Sequence, residues 1–168
     1  MQEFDMNSAA CFTGHRFYPA EQQTDIIVKT DEVISSLYYR GYRVFIAGGA
    51  IGFDTVAACR VVIAKRTHPE IKLLLALPCR NQTDRWPFGN QLKLYKYLLG
   101  AADDVVYTSQ MYEDGCMAVR NRWMVDHSSV CIAYFRKMRG GTASTVKYAE
   151  SKRKEIINIA DMIKNQEK

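Results

Sequence analysis

The chain has 168 residues, of which 48% are hydrophobic and 24% charged, and its formal net charge is +5 at pH 7. That length suffices for one domain with a buried core, residues 1–168 with a core of about residues 9–159, and the composition is ordinary for a globular protein. The mild positive charge suits an anionic ligand but excludes the dense basic surface of a dedicated duplex-DNA binder.

The cysteines and the apolar runs exclude several other classes. The chain has five cysteines, an odd number, and no two of them are spaced as a C-x-x-C pair. This argues against a disulfide framework or a metal site and favours a reducing compartment. Cys79 falls in a predicted loop and is the one thiol whose reactivity is worth testing. Residues 1–5 lack the apolar region of a signal peptide, and the longest apolar run, 71–78, is too short to span a bilayer. We expect a cytoplasmic protein without membrane contact.

In chain order, short apolar runs alternate with segments of helical apolar spacing. The predicted strands are Ala9–Thr13, Tyr42–Ala47, Ile71–Leu77, Asp104–Tyr107, Val130–Phe135 and Glu155–Ile159. The predicted helices are Pro19–Arg40 with Pro19 as the first helical residue, Thr55–Lys65, Leu92–Gly100, Met117–His127 and a helix from Gly140 through Ala149. This alternation predicts an α/β, doubly wound, mostly parallel five- to six-stranded sheet with helices on both faces.

The stretch from Val44 to Asp54 organises the prediction. An apolar run ends in Gly48, Gly49 and Gly52, and Asp54 precedes a helix. Such a turn lets the backbone approach a ligand, and the helix start favours an anion, usually phosphate. A tight turn that binds nothing, with Asp54 as the helix N-cap, explains the same residues.

Three further loops with unusual residues follow predicted strands. They are Gly14-His15-Arg16, the polar segment 79–88 and Arg139-Gly140-Gly141-Thr142. Because the carboxyl ends of parallel strands share one edge of a sheet, these loops and the glycine turn are expected to meet there. Their convergence favours a ligand cleft.

Arg16 is a candidate phosphate ligand through its planar guanidinium. His15 either contacts the same phosphate or bonds to the backbone, and we favour the backbone role. Arg120 shares a helix face with core methionines, so it is expected to point inward and to need an anionic partner, either a ligand phosphate or Asp126. Asp54 accepts from a ribose hydroxyl, holds the glycine loop or caps the helix, and we favour the cap.

Other candidates also have two interpretations. Thr142 and Thr145 either bond a phosphate at the helix start or cap that helix. Trp86 either stacks on a base or covers an open end of the sheet.

Four motifs in this order resemble the signature set of the SLOG superfamily, and the chain is identified as a member of its DUF1273 family of YpsA- and YoqJ-like bacterial proteins. The motifs are Thr13-Gly14-His15-Arg16, Gly48-Gly49-Ala50-x-Gly52-x-Asp54, Arg120-Asn121-x-x-Met124-Val125-Asp126 and Gly140-Gly141-Thr142. The resemblance covers Cys11–Ile159 and implies a Rossmann-like fold that binds nucleotides or nucleotide-derived ligands. The expected ligand-binding residues are Gly14, His15, Arg16, Gly48, Gly49, Gly52, Asp54, Trp86, Arg120, Asn121, Asp126, Gly140, Gly141, Thr142 and Thr145.

More distant resemblances are to the LOG phosphoribohydrolases and to the DNA-processing protein DprA. LOG enzymes carry a P-G-G-x-G-T-x-x-E motif, whose Glu supports glycosidic cleavage. Here Arg139 replaces the Pro, residues 143–144 replace the second Gly-Thr, and Lys147 stands where the Glu would fall. The run 48–54 is similar to the DprA version.

The preferred hypothesis is binding or sensing of a nucleotide-derived ligand, an ADP-ribose-like molecule or a nucleoside phosphate, with its base near Trp86. One alternative is an N-glycosidic hydrolase or transferase acting on a nucleotide, with Asp54, Asp126 or Glu150 as its carboxylate. A second alternative is DprA-like binding of single-stranded DNA. The only cofactor expected is such a bound nucleotide, no metal is expected, and the superfamily suggests a homodimer.

Overall fold

The computed structural model describes residues 4–84, 86, 88–137 and 139–163. Its strands are β1 Ala9–Gly14, β2 Val44–Ala47, β3 Lys72–Leu77, β4 Asp104–Tyr107, β5 Val130–Tyr134 and β6 Glu155–Asn158. Its helices are α1 Gln23–Tyr39, α2 Phe53–Ala64, α3 Asn90–Ala101, α4 Cys116–Asp126, α5 Gly140–Ser151 and the short α6 Ile159–Met162.

The six strands form one sheet in the order β4-β3-β2-β1-β5-β6, and every neighbouring pair is parallel. The predicted α/β, Rossmann-like, doubly wound fold is confirmed, with all six strands parallel. The chain runs outward from β1 to β4 and then returns to place β5 on the other side of β1. The carboxyl ends of β1 and β5 are therefore the point where the winding reverses, which is where such sheets bind ligands.

Alternate residues of each strand enter two separate cores, because successive side chains point to opposite faces of a sheet. Phe12 and Phe45 lie in the larger core, which α1, α2, α3 and α6 cover. Cys11 and Ile46 lie in the smaller core, which α4 and α5 cover. The helices that follow β1 and β5 thus leave on opposite faces and open a crevice between the two strand ends.

One local prediction was wrong. Pro19 is not the first helical residue, because its ψ of 134° is extended and it precedes a single 3₁₀ turn, Ala20–Gln22. The loop position of Cys79 is confirmed, but its side chain is buried. Burial, and after it the neighbouring Cys116, raises the pKa of the Cys79 thiol and disfavours the reactive thiolate. Over the described ranges, no helix has the length and apolar content needed to cross a membrane.

Candidate functional site

A cleft of about 340 Å³ lies at the carboxyl edge of the sheet, between the ends of β1 and β5. Its walls are the loop after β1, the start of α2, the first half of α4 and the start of α5. Nine of the residues predicted from the sequence line it, namely Gly14, His15, Arg16, Asp54, Arg120, Asn121, Gly140, Gly141 and Thr142. Four separate segments of the chain therefore supply one cavity.

Close packing at the end of β1 sets the first wall. A Cβ atom at Gly14 would stand 2.5 Å from Phe53 Cδ1, so only glycine lets the first residue of α2 sit against the strand end. The Phe53 N–H donates to the His15 carbonyl at 3.2 Å, and the His15 N–H donates to the Tyr134 carbonyl at 3.0 Å. These contacts fix the β1 loop between α2 and β5.

The His15 side chain also bonds to the backbone, which confirms the role favoured from the sequence. Its Nε2 accepts from the Arg136 N–H at 3.1 Å. Desolvation lowers the pKa of His15, and the nearby charge of Lys137 lowers it further. Both effects favour the neutral imidazole, the form in which Nε2 can accept.

Gly52, the last glycine of the turn after β2, packs against the backbone of Arg16. Gly52 has a φ of 96°, and a Cβ atom there would overlap the Arg16 backbone. The Arg16 backbone therefore lies directly on the turn, while its side chain is exposed at the mouth of the cleft. Burial is the main cause that lowers the pKa of the Arg120 guanidinium, and the charge of Arg16 contributes to the same shift. The two guanidinium groups are therefore close enough for their positive charges to repel each other.

Asp54 and Arg120 bind the two backbone polar groups of Gly48, and we call this arrangement the glycine clamp. The Gly48 N–H donates to Asp54 Oδ1 at 3.0 Å, and the Ala50 N–H donates to Asp54 Oδ2 at 2.8 Å. Arg120 Nη1 donates to the Gly48 carbonyl. The prediction that Asp54 caps α2 is wrong, because Gly52 is the N-cap and the Asp54 carboxylate reaches back to the glycine loop.

Both charges of this clamp are buried, with Arg120 5% and Asp54 6% exposed. Burial raises the pKa of the Asp54 carboxyl, while the charge of Arg120 and the loop N–H groups oppose that shift. A Cβ atom at Gly48 would overlap Arg120 Nη1, so the clamp requires glycine there. The two opposite charges of the clamp therefore compensate each other on either side of the Gly48 backbone.

Asp126 is not the partner of Arg120. It lies at the far end of α4, where it accepts from the Tyr148 hydroxyl at 3.0 Å and pairs with Lys152 at 3.9 Å. The first half of α4 faces the cleft, and the helix then runs toward the opposite edge of the sheet. Asp126 is therefore outside the cleft.

The start of α5 is open to the cleft. Gly140 has a φ of 80°, and the N-cap residue, Arg139, makes no side-chain bond to the first turn. A Cβ atom at Gly141 would meet no atom within 4 Å, in contrast to the crowded Gly14 and Gly48. This glycine is thus not required by packing inside the protein, and the space beside it faces the cleft.

Thr145 does not cap α5, contrary to one of its two predicted roles. Its hydroxyl donates to the Gly141 carbonyl at 2.8 Å within the helix and accepts from Asn121 Nδ2 at 2.9 Å. Asn121 Oδ1 in turn accepts from Arg120 Nε at 2.8 Å. A chain of hydrogen bonds therefore connects the glycine clamp to α5.

Two predicted residues, Gly49 and Trp86, lie away from the cleft on the side of β3. Gly49 faces Leu77, and its carbonyl accepts from Gln82 Nε2 at 3.1 Å. Trp86 packs edge-on against Tyr95 with ring centroids 5.4 Å apart, as expected of a residue that covers the sheet. Because β3 is two strands away from β1, neither residue reaches the crevice.

Sequence reasoning missed six residues that line the cleft: Phe12, Thr13, Ala50, Met117, Met124 and Arg139. Phe12 was assigned only to a strand and Met117 only to the core. The other four stand inside the quoted motifs and loops, so adjacency to the predicted site residues was the signal that could have identified them. Within the described ranges, no group of three His, Cys, Asp or Glu residues is arranged to hold a metal ion.

A family model described as the YspA SLOG family, under the name YpsA, matches residues 12–166. The chain belongs to this family. One relative is the uncharacterized SPbeta prophage-derived protein YoqJ of Bacillus subtilis, which is 32% identical over 121 residues. The aligned region covers 65% of this chain and 70% of YoqJ. The UPF0398 protein BH1768 of Halalkalibacterium halodurans is 28% identical over 127 residues, covering 74% and 67% of the two chains.

Solved structures share the fold of this YpsA-family chain at low sequence identity. DNA processing protein A (DprA) from Helicobacter pylori superposes with a TM-score of 0.63 at 19% identity, covering 89% of this chain and 64% of that one. DprA from Streptococcus pneumoniae gives 0.64 at 16% identity, covering 89% and 49%. The chain thus spans less than two thirds of either DprA chain.

Proposed function

We propose that this YpsA-family protein binds a nucleotide-derived ligand, an ADP-ribose-like molecule or a nucleoside phosphate, with a phosphate at the start of α5. The observation that carries the proposal is the uncapped first turn of α5 beside the open space at Gly141. Unpaired N–H groups and the helix dipole at such a terminus attract anions. The position between β1 and β5 is also where doubly wound sheets bind their ligands.

The charges around the cleft support an anionic ligand. Asp54 and Arg120 compensate each other on either side of the Gly48 backbone, whereas Arg16 and Arg139 are exposed at the mouth. No acidic side chain of the described residues forms a salt bridge with either of these two arginines. A guanidinium group can hold a phosphate through two parallel hydrogen bonds.

Cleavage of an N-glycosidic bond lacks a suitable carboxylate. Asp54 is the one acidic residue among those that line the cleft, and both of its oxygens accept N–H groups of the glycine loop. Neither Asp126 nor Glu150 lines the cleft. A general acid or base needs a free site within hydrogen-bond reach of the reacting atom. We therefore place binding ahead of catalysis.

Single-stranded DNA is the second candidate ligand. The structure of Helicobacter pylori DprA, which shares this fold, was described for its single-stranded DNA binding mode. A strand would place one of its phosphates in the same cleft, and its affinity would fall with rising salt because phosphate contacts release counterions.

Titration calorimetry tests the proposal on the full chain with adenosine 5′-monophosphate, ADP-ribose, NAD and a short oligothymidylate. Arg16→Ala should weaken binding of the successful probe about tenfold, the loss expected when one charged hydrogen-bonding partner is removed. Arg66→Ala, at an exposed arginine beyond the end of α2, is the matched control and should bind normally. No binding by any probe, or equal binding by Arg16→Ala and wild type, would overturn the proposed site.

A further inference from the structure

A second cavity adjoins the cleft on the side away from β1. It has a volume of about 550 Å³ and lies between α4 and α5. It shares three lining residues with the cleft, namely Met117, Asn121 and Gly141. A ligand anchored at the start of α5 can therefore extend past Gly141 into the groove between the two helices.

Small residues and one hydrogen bond define the groove. Gly115 at the N-cap of α4, Ala118 on α4 and Ser144 on α5 all line it, so small residues contribute to both of its walls. The hydrogen bond from Asn121 Nδ2 to Thr145 Oγ1 fixes the spacing of the two helices where cleft and groove meet. The space is thus a feature of the α4–α5 packing and not a gap left by a mobile side chain.

Two cationic side chains, Arg122 and Lys147, line the groove. Lys147 follows Gly141 by six residues, which corresponds to about 9 Å along the helix axis, and helical side chains point back toward the N-terminus. Asp126 forms no salt bridge with either of these side chains and instead pairs with Lys152 and accepts from the Tyr148 hydroxyl. Positive charge is therefore placed at a fixed distance beyond the first anion site.

We infer that the groove binds a second phosphate of the same ligand, so that the preferred ligand is a nucleotide phosphorylated at two positions rather than a simple monophosphate. This inference rests on the proposed function. The first phosphate occupies the start of α5, the sugar spans the junction at Asn121, and the second phosphate lies between Arg122 and Lys147. Successive phosphates of a nucleic-acid strand present the same chemistry.

The test compares adenosine 5′-monophosphate, adenosine 3′,5′-bisphosphate and a short oligothymidylate by titration calorimetry on the full chain. Wild type should bind the bisphosphate about tenfold more tightly than the monophosphate. The double variant Lys147→Gln/Arg122→Gln should lose that preference and keep its affinity for the monophosphate. Lys93→Gln/Lys96→Gln, at two exposed lysines on α3, removes the same total charge and should retain the preference.

Each outcome decides the inference. Equal affinity for the two adenosine nucleotides, or a preference that survives in the double variant, overturns it while leaving the first phosphate site intact. If neither nucleotide nor the strand binds wild type, the proposed function and this inference fail together. If only the oligothymidylate binds and depends on Lys147 and Arg122, the second site is supported and its source is a strand. Unchanged melting temperatures of the variants establish that folding is not the cause.

Discussion

At the scale of single residues, the glycine turn is a structural clamp before it is a ligand loop. The carbonyl and the N–H of Gly48 are bound by opposite charges, those of Arg120 and Asp54. Both charges are buried, and a buried charge is stable only when it is paired and hydrogen-bonded. The clamp thus makes the shape of the loop depend on two residues that are distant in sequence.

Gly48→Ala should therefore destabilise the protein. The added methyl overlaps Arg120 Nη1 and breaks the guanidinium bond to the Gly48 carbonyl. A buried group that loses its partner costs roughly 2–3 kcal/mol of the free energy of unfolding, which urea denaturation measures. Gly100→Ala, where a Cβ meets nothing within 4 Å, should instead stabilise helix α3 by about 0.5 kcal/mol. Equal effects of the two substitutions would contradict the clamp.

His15 should make stability depend on pH. Its pKa is lowered in the folded state, by desolvation first and by Lys137 second, from an ordinary value of 6.5. Between the folded pKa and 6.5 the unfolded chain binds more protons, so stability is fully present above pH 6.5 and falls as the pH falls below it. His15→Gln keeps an acceptor for the Arg136 N–H without titrating. Denaturation midpoints of the variant should decline less on acidification, and parallel declines would rule out this role.

At the scale of elements, side-chain hydrogen bonds couple α4 and α5 at two places, from Asn121 to Thr145 beside the cleft and from Tyr148 to Asp126 at the far end of α4. A double-mutant cycle with Asn121→Ala and Thr145→Val should give a coupling free energy of about 1 kcal/mol, because the partners are neutral and partly buried. Urea denaturation of the four proteins measures it. A coupling near zero would mean that the bond between Asn121 and Thr145 does not stabilise the contact between the two helices.

The order and type of the elements could be predicted from the sequence because strand and helix periods differ. Alternating short apolar runs and helical spacing gave all six strands to within two residues. The failures were local. Pro19 has the φ of a helix start but an extended ψ, and Asp54 bonds backward to the glycine loop instead of capping α2. The Asp54 bonds span only six and four residues, but the loop that they hold is also bound by Arg120, 72 residues away from Gly48, and no local pattern encodes that contact.

The candidate site was predicted in part for a similar reason. Loops that follow β1, β2 and β5 meet because those strands are neighbours, so Arg16, Asp54 and Gly141 share one cleft. Trp86 follows β3, and Asp126 ends α4 at the other edge of the sheet, so neither residue lines the cleft. The sequence contains the strand ends but not the strand order, which is what decides these cases.

At the scale of the whole molecule, the two cores support the cleft from opposite faces. Phe53 belongs to the larger core and packs against the end of β1, while Met124 belongs to the smaller core and lines the cleft. A ligand in the crevice thus touches elements from both layers of the fold. Its binding energy should therefore stabilise the molecule as a unit and not a single loop.

Thermal unfolding tests this coupling with whichever calorimetric probe binds. A ligand that binds only the folded chain at about one hundred times its Kd adds roughly 2.7 kcal/mol of stability. For a domain of this size that free energy corresponds to a rise in Tm of roughly 5–10 °C. Arg16→Ala should reduce the rise at the same probe concentration, because its side chain lines the cleft and is exposed, whereas Arg66→Ala should show the full rise. A probe that binds by calorimetry yet leaves the wild-type Tm unchanged would have comparable affinity for the unfolded chain, and the cleft would not be its site.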